Sequence, residues 1–294
     1  MATETERPPL NAERLRSGLD FYAGVEVVEQ TGSTNADLLA RAGDADADRA
    51  VLIAEYQEHG RGRHSRTWVS PARAQIALSV LFRMPADVDT ANLGWLPLLT
   101  GVAVVDALRA VAKVNADLKW PNDVLIDGKK VAGILAEVAW PQNGGSAGSG
   151  PGSGGSAGSA PGSSGRSAGS APAVVVGVGL NVSLTEDELP VPEATSLTLA
   201  GAAETDRTEI AHALLEHLAA RWQSWRDGGW SGDNVAADYR AHCVTLGGNV
   251  RADLPGGEVV VGIARDIDAN GRLLIVTETE TVAVSAGDVT HLRS

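Results

Sequence analysis

Between His59 and Ala86 the chain carries five arginines, Arg61, Arg63, Arg66, Arg73 and Arg83, and no acidic residue. The protein as a whole has a formal net charge of -13, so a run of the opposite sign needs a reason. Three of these arginines fall in Gly60-Arg61-Gly62-Arg63-His64-Ser65-Arg66. Glycine frees the backbone there to aim N–H groups, and arginine offers paired donors to carboxylate or phosphate. The same composition also suits a solvated turn. A second group is Lys119-Trp120-Pro121-Asn122-Asp123 with Lys130. Proline breaks a strand and leaves Asn122 and Asp123 at a loop mouth, and Asp127-Gly128 has the chemistry of a tight hairpin that returns Lys130 beside Asp123. Such a pair serves either a reacting centre or a plain surface contact.

A third group, Gly177-Val178-Gly179-Leu180-Asn181, ends an apolar run. Its small residues permit close approach of a ligand, and Asn181 offers both donor and acceptor, although a strand-end turn would use the same residues. It is no dinucleotide fingerprint, and the chain contains no Walker A sequence, so any nucleotide is held by another design. The six histidines lack metal-ligand spacing, and no nucleophile-elbow sequence exists for Ser/His/Asp chemistry. The single cysteine, Cys243, excludes an internal disulfide. Acidity argues against general attraction to nucleic acid or anionic membrane. The polar start of the chain and the lack of a long uninterrupted apolar run point to a cytoplasmic protein with no membrane partner.

The elements that must position these groups are a mixture of helices and strands. Residues 1–24 read as a short leader with an apolar patch at Leu10, Leu15 and Leu19. A strand at 25–28 leads to Gly32-Ser33-Thr34-Asn35, where Ser33 or Thr34 can cap a helix bearing Leu38 and Leu39 and ended by Gly43. A buried strand is expected at 51–54, and Ile76, Leu78, Val80 and Phe82 alternate as in a half-buried strand, with the arginine segment a loop between them. Helical spacing runs over 92–111, with a break near Pro97, followed by strands at 118–120, 124–126 and 130–140. Residues 141–172 are almost wholly Gly, Ser, Ala and Pro, which cannot bury enough surface to order, and read as a disordered insertion in a hairpin. A strand resumes at 173–178, helices follow at 208–225 and 234–243, and four short β segments with a turn at Asn270-Gly271 make up 245–294.

Taken in order, Gly32–Asn35, Glu55-Tyr56-Gln57, Gly60–Arg63, Lys119–Asp123, Lys130-Val131-Ala132-Gly133-Ile134-Leu135 and Gly177–Asn181 resemble the biotin protein ligase family. The resemblance spans about 25–140 and 173–294. It implies an α+β fold: a mixed β-sheet flanked by helices, as in class II aminoacyl-tRNA synthetases and biotin ligases, with catalytic residues in 25–244 and a small C-terminal SH3-like β-barrel in 245–294. It implies a two-step reaction. Biotin attacks the α-phosphate of ATP, with Mg²⁺ carried by the nucleotide, and the resulting biotinyl-AMP acylates a lysine of a biotin carboxyl carrier domain.

The resemblance further implies that Ser33, Thr34, Asn35 and Gln57 hold the biotin head group. Gly60, Arg61, Gly62 and Arg63 belong to a loop closing over biotin and phosphates, and Lys130 lies at the carboxylate and the phosphate under attack. Arg63, Trp120, Asn122 and Asn181 face the nucleotide, and Asp123 accepts the proton of the incoming lysine. Family members that repress transcription carry an N-terminal DNA-binding domain for which this sequence has no room, so no DNA binding is expected; a homodimer is compatible. Two other readings remain: a lipoate-protein ligase of the same fold, and a non-catalytic biotin- or nucleotide-sensing module. If the Gly/Ser/Ala/Pro insertion is only a loop, deleting 145–170 will leave activity largely unchanged. An inactive deletion protein would contradict that reading.

Overall fold

The computed structural model describes residues 7–140 and 171–292. The expected disordered insertion therefore lies almost wholly outside the described residues. Among the described residues, twelve strands form two sheets. The larger uses β1 (Gly24–Thr31), β2 (Ala50–Gln57), β3 (Gln75–Arg83), β4 (Asp117–Lys119), β5 (Asp123–Ile126), β6 (Lys129–Ala139) and β7 (Ala173–Asn181). Its spatial order is β1-β2-β3-β7-β6-β5-β4. Only β1 and β2 run parallel, and every other neighbouring pair is antiparallel. The expected mixed sheet is present.

Alternation along the central strands feeds two cores. Ile76, Leu78, Val80 and Phe82 of β3, with Val174, Val176 and Val178 of β7, belong to the large cluster. Leu81, Ala173 and Val175 belong to a small cluster with Leu38 of α2 (Thr34–Ala40). The expectation of a half-buried β3 is corrected here, because Gln75 to Phe82 are all buried. Covering both faces makes Ala77 and Ser79 as inaccessible as their apolar neighbours.

The large core is closed by α3 (Trp95–Ala107), α4 (Arg207–Asp227) and α5 (Asp233–His242). The stretch Thr90–Ala112 is long and apolar enough, by composition, to cross a bilayer. Here α3 is buried at eleven of its thirteen positions, which accounts for its lack of a polar face. The break expected at Pro97 does not occur. Pro97 lies in the first turn of α3, where no intrahelical partner awaits its missing N–H. Ser33, rather than Thr34, caps α2 and accepts from the Ala36 N–H.

The smaller sheet comprises β8 (Asn249–Asp253), β9 (Val259–Ile267), β10 (Leu273–Val276), β11 (Thr281–Val284) and β12 (Asp288–His291), in the order β11-β10-β9-β8-β12. All of its pairs are antiparallel. Four segments are expected from sequence and five are found. The additional strand, β12, is short and polar, and so carries no alternation to read.

The N-terminal segment is built into the main body. Leu15, in α1 (Ala12–Arg16), is fully buried, with Leu10 and Leu19 beside it in the large cluster. An ion pair beneath it links Glu55 Oε2 to Arg207 Nη1 at 2.6 Å, with both side chains almost inaccessible. Glu55 Oε1 accepts from the Leu10 N–H at 2.5 Å, and the Arg207 guanidinium donates to the carbonyls of Gln75 and Pro8. Removing one member of so buried a pair strands the other charge. Arg207→Ala is expected to cost about 3–5 kcal/mol in urea denaturation. A loss under roughly 1 kcal/mol, the range of an exposed pair, would refute the brace.

Candidate active site

The floor of the site is a patch of the larger sheet on the face that α2 covers. Register places Ala77, Gly179 and Gly133 in one row across β3, β7 and β6, and Ser79, Gly177 and Leu135 in the next. Five of these six residues are small, so the sheet is hollow where α2 begins. The hollow admits two large groups. A Cβ on Gly179 would stand 2.6 Å from the Trp68 ring, and one on Gly133 3.1 Å from it. A Cβ on Gly177 would collide with Asn35 Oδ1. The glycines expected to admit a ligand instead admit the protein's own side chains, which then line the cavity.

Hydrogen bonds join the floor into one network. Thr34 N donates to Gln57 Oε1 at 2.9 Å, and the Thr34 hydroxyl lies 2.7 Å from that of Ser79. Ser79 donates to Asn35 Oδ1 at 2.6 Å, and Asn35 Nδ2 donates to Glu137 Oε2 at 2.9 Å. Trp68 is pinned over the other row by its Nε1–H bond to Gln75.

Above the floor lies the cationic segment. It is a narrow hairpin rather than a free loop: Arg61 pairs with Thr67, and Gly62 N–H donates to the Arg66 carbonyl at 2.7 Å. Its tip is a tight 3-10 turn in which His64 and Ser65 both take positive φ, at 52° and 60°. Left-handed backbone at two consecutive non-glycine residues is costly and persists only where contacts hold it. Those contacts come from the start of β12 in the smaller sheet and from the turn between β4 and β5. Arg63 donates to the Gly287 carbonyl at 3.0 Å and to Asn122 Oδ1 at 2.9 Å, and Arg66 pairs with Asp288. Burial lowers the pKa of the Arg63 guanidinium from its ordinary value, while Asp288 and Asp123 pull the other way.

Opposite stands Lys130. The turn at Asp127 and Gly128, with φ of 49° and 76°, returns the chain as the sequence indicates. Lys130 Nζ comes 2.6 Å from Asp123 Oδ1 and 5.5 Å from the centre of the Trp68 ring. The first contact is an ion pair by distance, but its angles fall outside those of a directed hydrogen bond. Asp123 Oδ1 is buried at this contact, and the Lys130 ammonium keeps donors for a ligand.

Ser33, Thr34, Asn35, Gln57, Arg61, Gly62, Arg63, Trp120, Asn122, Asp123 and Lys130 all line one cavity. Two expected site residues do not. Asn181 is buried outside the wall, with its amide donating to the Thr195 carbonyl at 3.0 Å. Gly60 is packed beneath the hairpin, where a Cβ would strike the Trp68 carbonyl, so it shapes the turn from outside the wall.

Sequence reasoning missed Trp68, Ser79 and the β12 residues Asp288, Val289 and Thr290, which also line the cavity. Ser79 left a signal, a lone hydroxyl inside Ile76-Ala77-Leu78-Ser79-Val80-Leu81-Phe82. Five cations (Arg61, Arg63, Arg66, Lys119 and Lys130) and two carboxylates (Asp123 and Asp288) line the wall. An anion-binding cavity in an acidic chain is the result.

Comparison with known proteins agrees with this geometry. Residues 27–145 match the model of the biotin/lipoate A/B protein ligase family, and residues 245–292 match the biotin protein ligase C-terminal domain. The chain is 48% identical to the biotin--[acetyl-CoA-carboxylase] ligase of Mycobacterium tuberculosis, over 98% of this chain and 97% of that protein. It is 30% identical to the bifunctional ligase/repressor BirA of Escherichia coli, over 90% of this chain but 73% of that longer protein. Its fold matches that of a biotin protein ligase from Aquifex aeolicus, solved in complex with biotin and ATP. The TM-score is 0.67 at 22% identity, covering 92% of this chain and 99% of that one. Likeness over nearly the full length, with both domain models in order, means that the chain belongs to the biotin protein ligase family.

Proposed function

We propose that the chain is a biotin–protein ligase that condenses biotin with ATP and passes the biotinyl group to a lysine of an acetyl-CoA carboxylase subunit, its biotin carboxyl carrier domain. The observation that carries this reading is the convergence of Arg63 and Lys130 on one cavity floored by a polar network. Attack of a carboxylate on a triphosphate sets anion against anion. A site for it needs fixed cations where charge develops, away from bulk water. Lys130 is suited to bridge the biotin carboxylate and the α-phosphate. Arg63, already desolvated and braced by Asn122 and Gly287, is suited to the nucleotide phosphates and needs little reorganisation on binding.

Magnesium would arrive on the triphosphate. Among the described residues no group of three or more His, Cys, Asp and Glu could hold a metal by itself. The cavity does offer the Asp123 and Asp288 carboxylates, a donor set that fits an ion carried mainly by phosphates and water. When bound, the ion would neutralise phosphate charge and ease departure of pyrophosphate. In the second step Asp123, which pairs with Lys130 at the cavity wall, is suited to accept the proton of the incoming lysine amine.

A thioester route, as in cysteine-dependent acyl transfer of this fold class, lacks its nucleophile. Cys243 is buried, does not line the cavity, and has its thiol pKa raised by burial. Lipoate needs no thiol and remains the competing substrate, to be tested beside biotin in the same loading assay.

Biotin-dependent exchange of labelled pyrophosphate into ATP tests the reading; tight biotin binding without exchange would reduce the chain to a sensor. Lys130→Ala is expected to slow adenylate formation about a hundredfold or more while the protein stays folded. Near-normal pyrophosphate release would remove Lys130 from the reaction. Arg63→Gly frees the hairpin from its two braces, so biotinyl-AMP should escape and label bystander lysines in a mixed protein pool. Labelling confined to the acceptor would mean that this arginine does not retain the adenylate.

A further inference from the structure

Glu137 does not line the cavity, yet its two carboxylate oxygens reach both parts of the site. Oε2 accepts from Asn35 Nδ2 at 2.9 Å, and Oε1 stands 3.5 Å from Arg61 Nη1. Its side chain is only 12% exposed. In the sheet it occupies the row next to Ser79, Gly177 and Leu135, across from Val175 and Leu81.

The consequence follows from proton counting. Asn35 Nδ2 donates to Glu137 Oε2 at 2.9 Å and to the Leu135 carbonyl at 3.2 Å, which leaves its Oδ1 toward Ser79. Ser79 is thereby committed to donate to Asn35 Oδ1. Its single proton is used, so the 2.7 Å contact with Thr34 requires the Thr34 hydroxyl to donate to Ser79 Oγ. Gln57 Oε1 accepts from the Thr34 N–H at 2.9 Å and, at 3.1 Å, shares the Thr34 hydroxyl proton with Ser79, so that proton stays within the network. The Thr34 and Ser79 hydroxyl protons are both consumed inside the network that runs through Asn35 to Glu137. What remains for a ligand at Thr34 and Ser79 is lone pairs.

We propose that Glu137 is a positioning residue that sets this direction, making the floor a hydrogen-bond acceptor that selects a ligand bearing N–H donors, while its second oxygen tethers the cationic hairpin through Arg61. The proposal rests on the biotin-ligase reading for the identity of that ligand. The ureido ring of biotin has two N–H groups to offer such a floor. The dithiolane ring of lipoate has none, so the same polarity separates the two substrates. A site built around a ligand donor rejects the analogue lacking it, because its own acceptors are left unmet.

Glu137→Ala removes the nearer of the two acceptors of the Asn35 NH₂, leaving the Leu135 carbonyl, and Glu137→Gln restores an oxygen of the same reach without the charge. In pyrophosphate release, Glu137→Ala should raise KM for biotin about tenfold or more and leave KM for ATP within about twofold. Glu137→Gln should recover biotin KM to within about threefold of the native protein. The structural half of the proposal is read independently, by the exchange rate of the Asn35 side-chain NH₂ in NMR spectra, slow in the native chain and in Glu137→Gln and fast in Glu137→Ala. Parallel rises in both KM values, a glutamine variant no better than alanine, or unaltered Asn35 exchange in Glu137→Ala would each overturn it. Absence of biotin-dependent pyrophosphate release from the native chain would instead sink the functional reading, and the Asn35 exchange would still decide whether Glu137 orients the floor.

Discussion

Five positive side chains around one cavity repel one another, and the structure depends on how that repulsion is contained. Four of the cations have partners on other elements: Lys130 with Asp123, Arg66 with Asp288, Arg61 with Glu137, and Arg63 with Asn122 and the Gly287 carbonyl. For Arg63 the partners are neutral, so its charge is held in place without being cancelled. Preorganised charge of this kind is expensive to assemble and effective once assembled, because nothing has to move when the reacting anions arrive. The left-handed residues at the hairpin tip record part of that expense.

The remainder of the fold makes the cavity possible. One face of the larger sheet is fully occupied by α3, α4 and α5, which supply the large core. That leaves the other face free to be incompletely filled. Leu38 of α2 closes it over Leu81 and Val175, and beyond the start of that helix the strands switch to Ala, Ser and Gly. A sheet normally hides its polar backbone under large side chains. Here Trp68 and Asn35, arriving from loop and helix, do that work and present an indole and an amide to the ligand.

Much of this was legible in the sequence, for identifiable reasons. Strand and helix periods, the turn at Asp127-Gly128 and the charge anomaly at 61–66 are local signals, and each led to the correct element or cluster. The Lys130–Asp123 pair was legible because both residues lie in one hairpin. What was not legible is non-local. Nothing near Asp288 signals that it will meet Arg66 across 222 positions, and nothing near Glu137 signals an arginine 76 positions earlier. The placement of Asn181 outside the cavity wall was not legible for the converse reason. Its side chain suits a ligand, but a neighbouring backbone carbonyl satisfies it first. Pro97 was misjudged because a helix-breaking residue is harmless in a first turn, and where that turn starts depends on packing.

The separation between Arg63 and the Gly287 carbonyl, 224 positions along the chain, has a temporal meaning. Contacts so distant close late, because loop entropy must be overcome before they contribute. The lysine–aspartate hairpin, whose partners lie seven positions apart, can form long before the arginine turn finds its seat. An immature chain would thus possess its reactive cation but lack the fitted cover that keeps an activated acyl group from wandering. Coupling the cover to the last strand of the smaller sheet makes competence to activate a carboxylate and competence to contain it emerge in a single event, at the completion of folding.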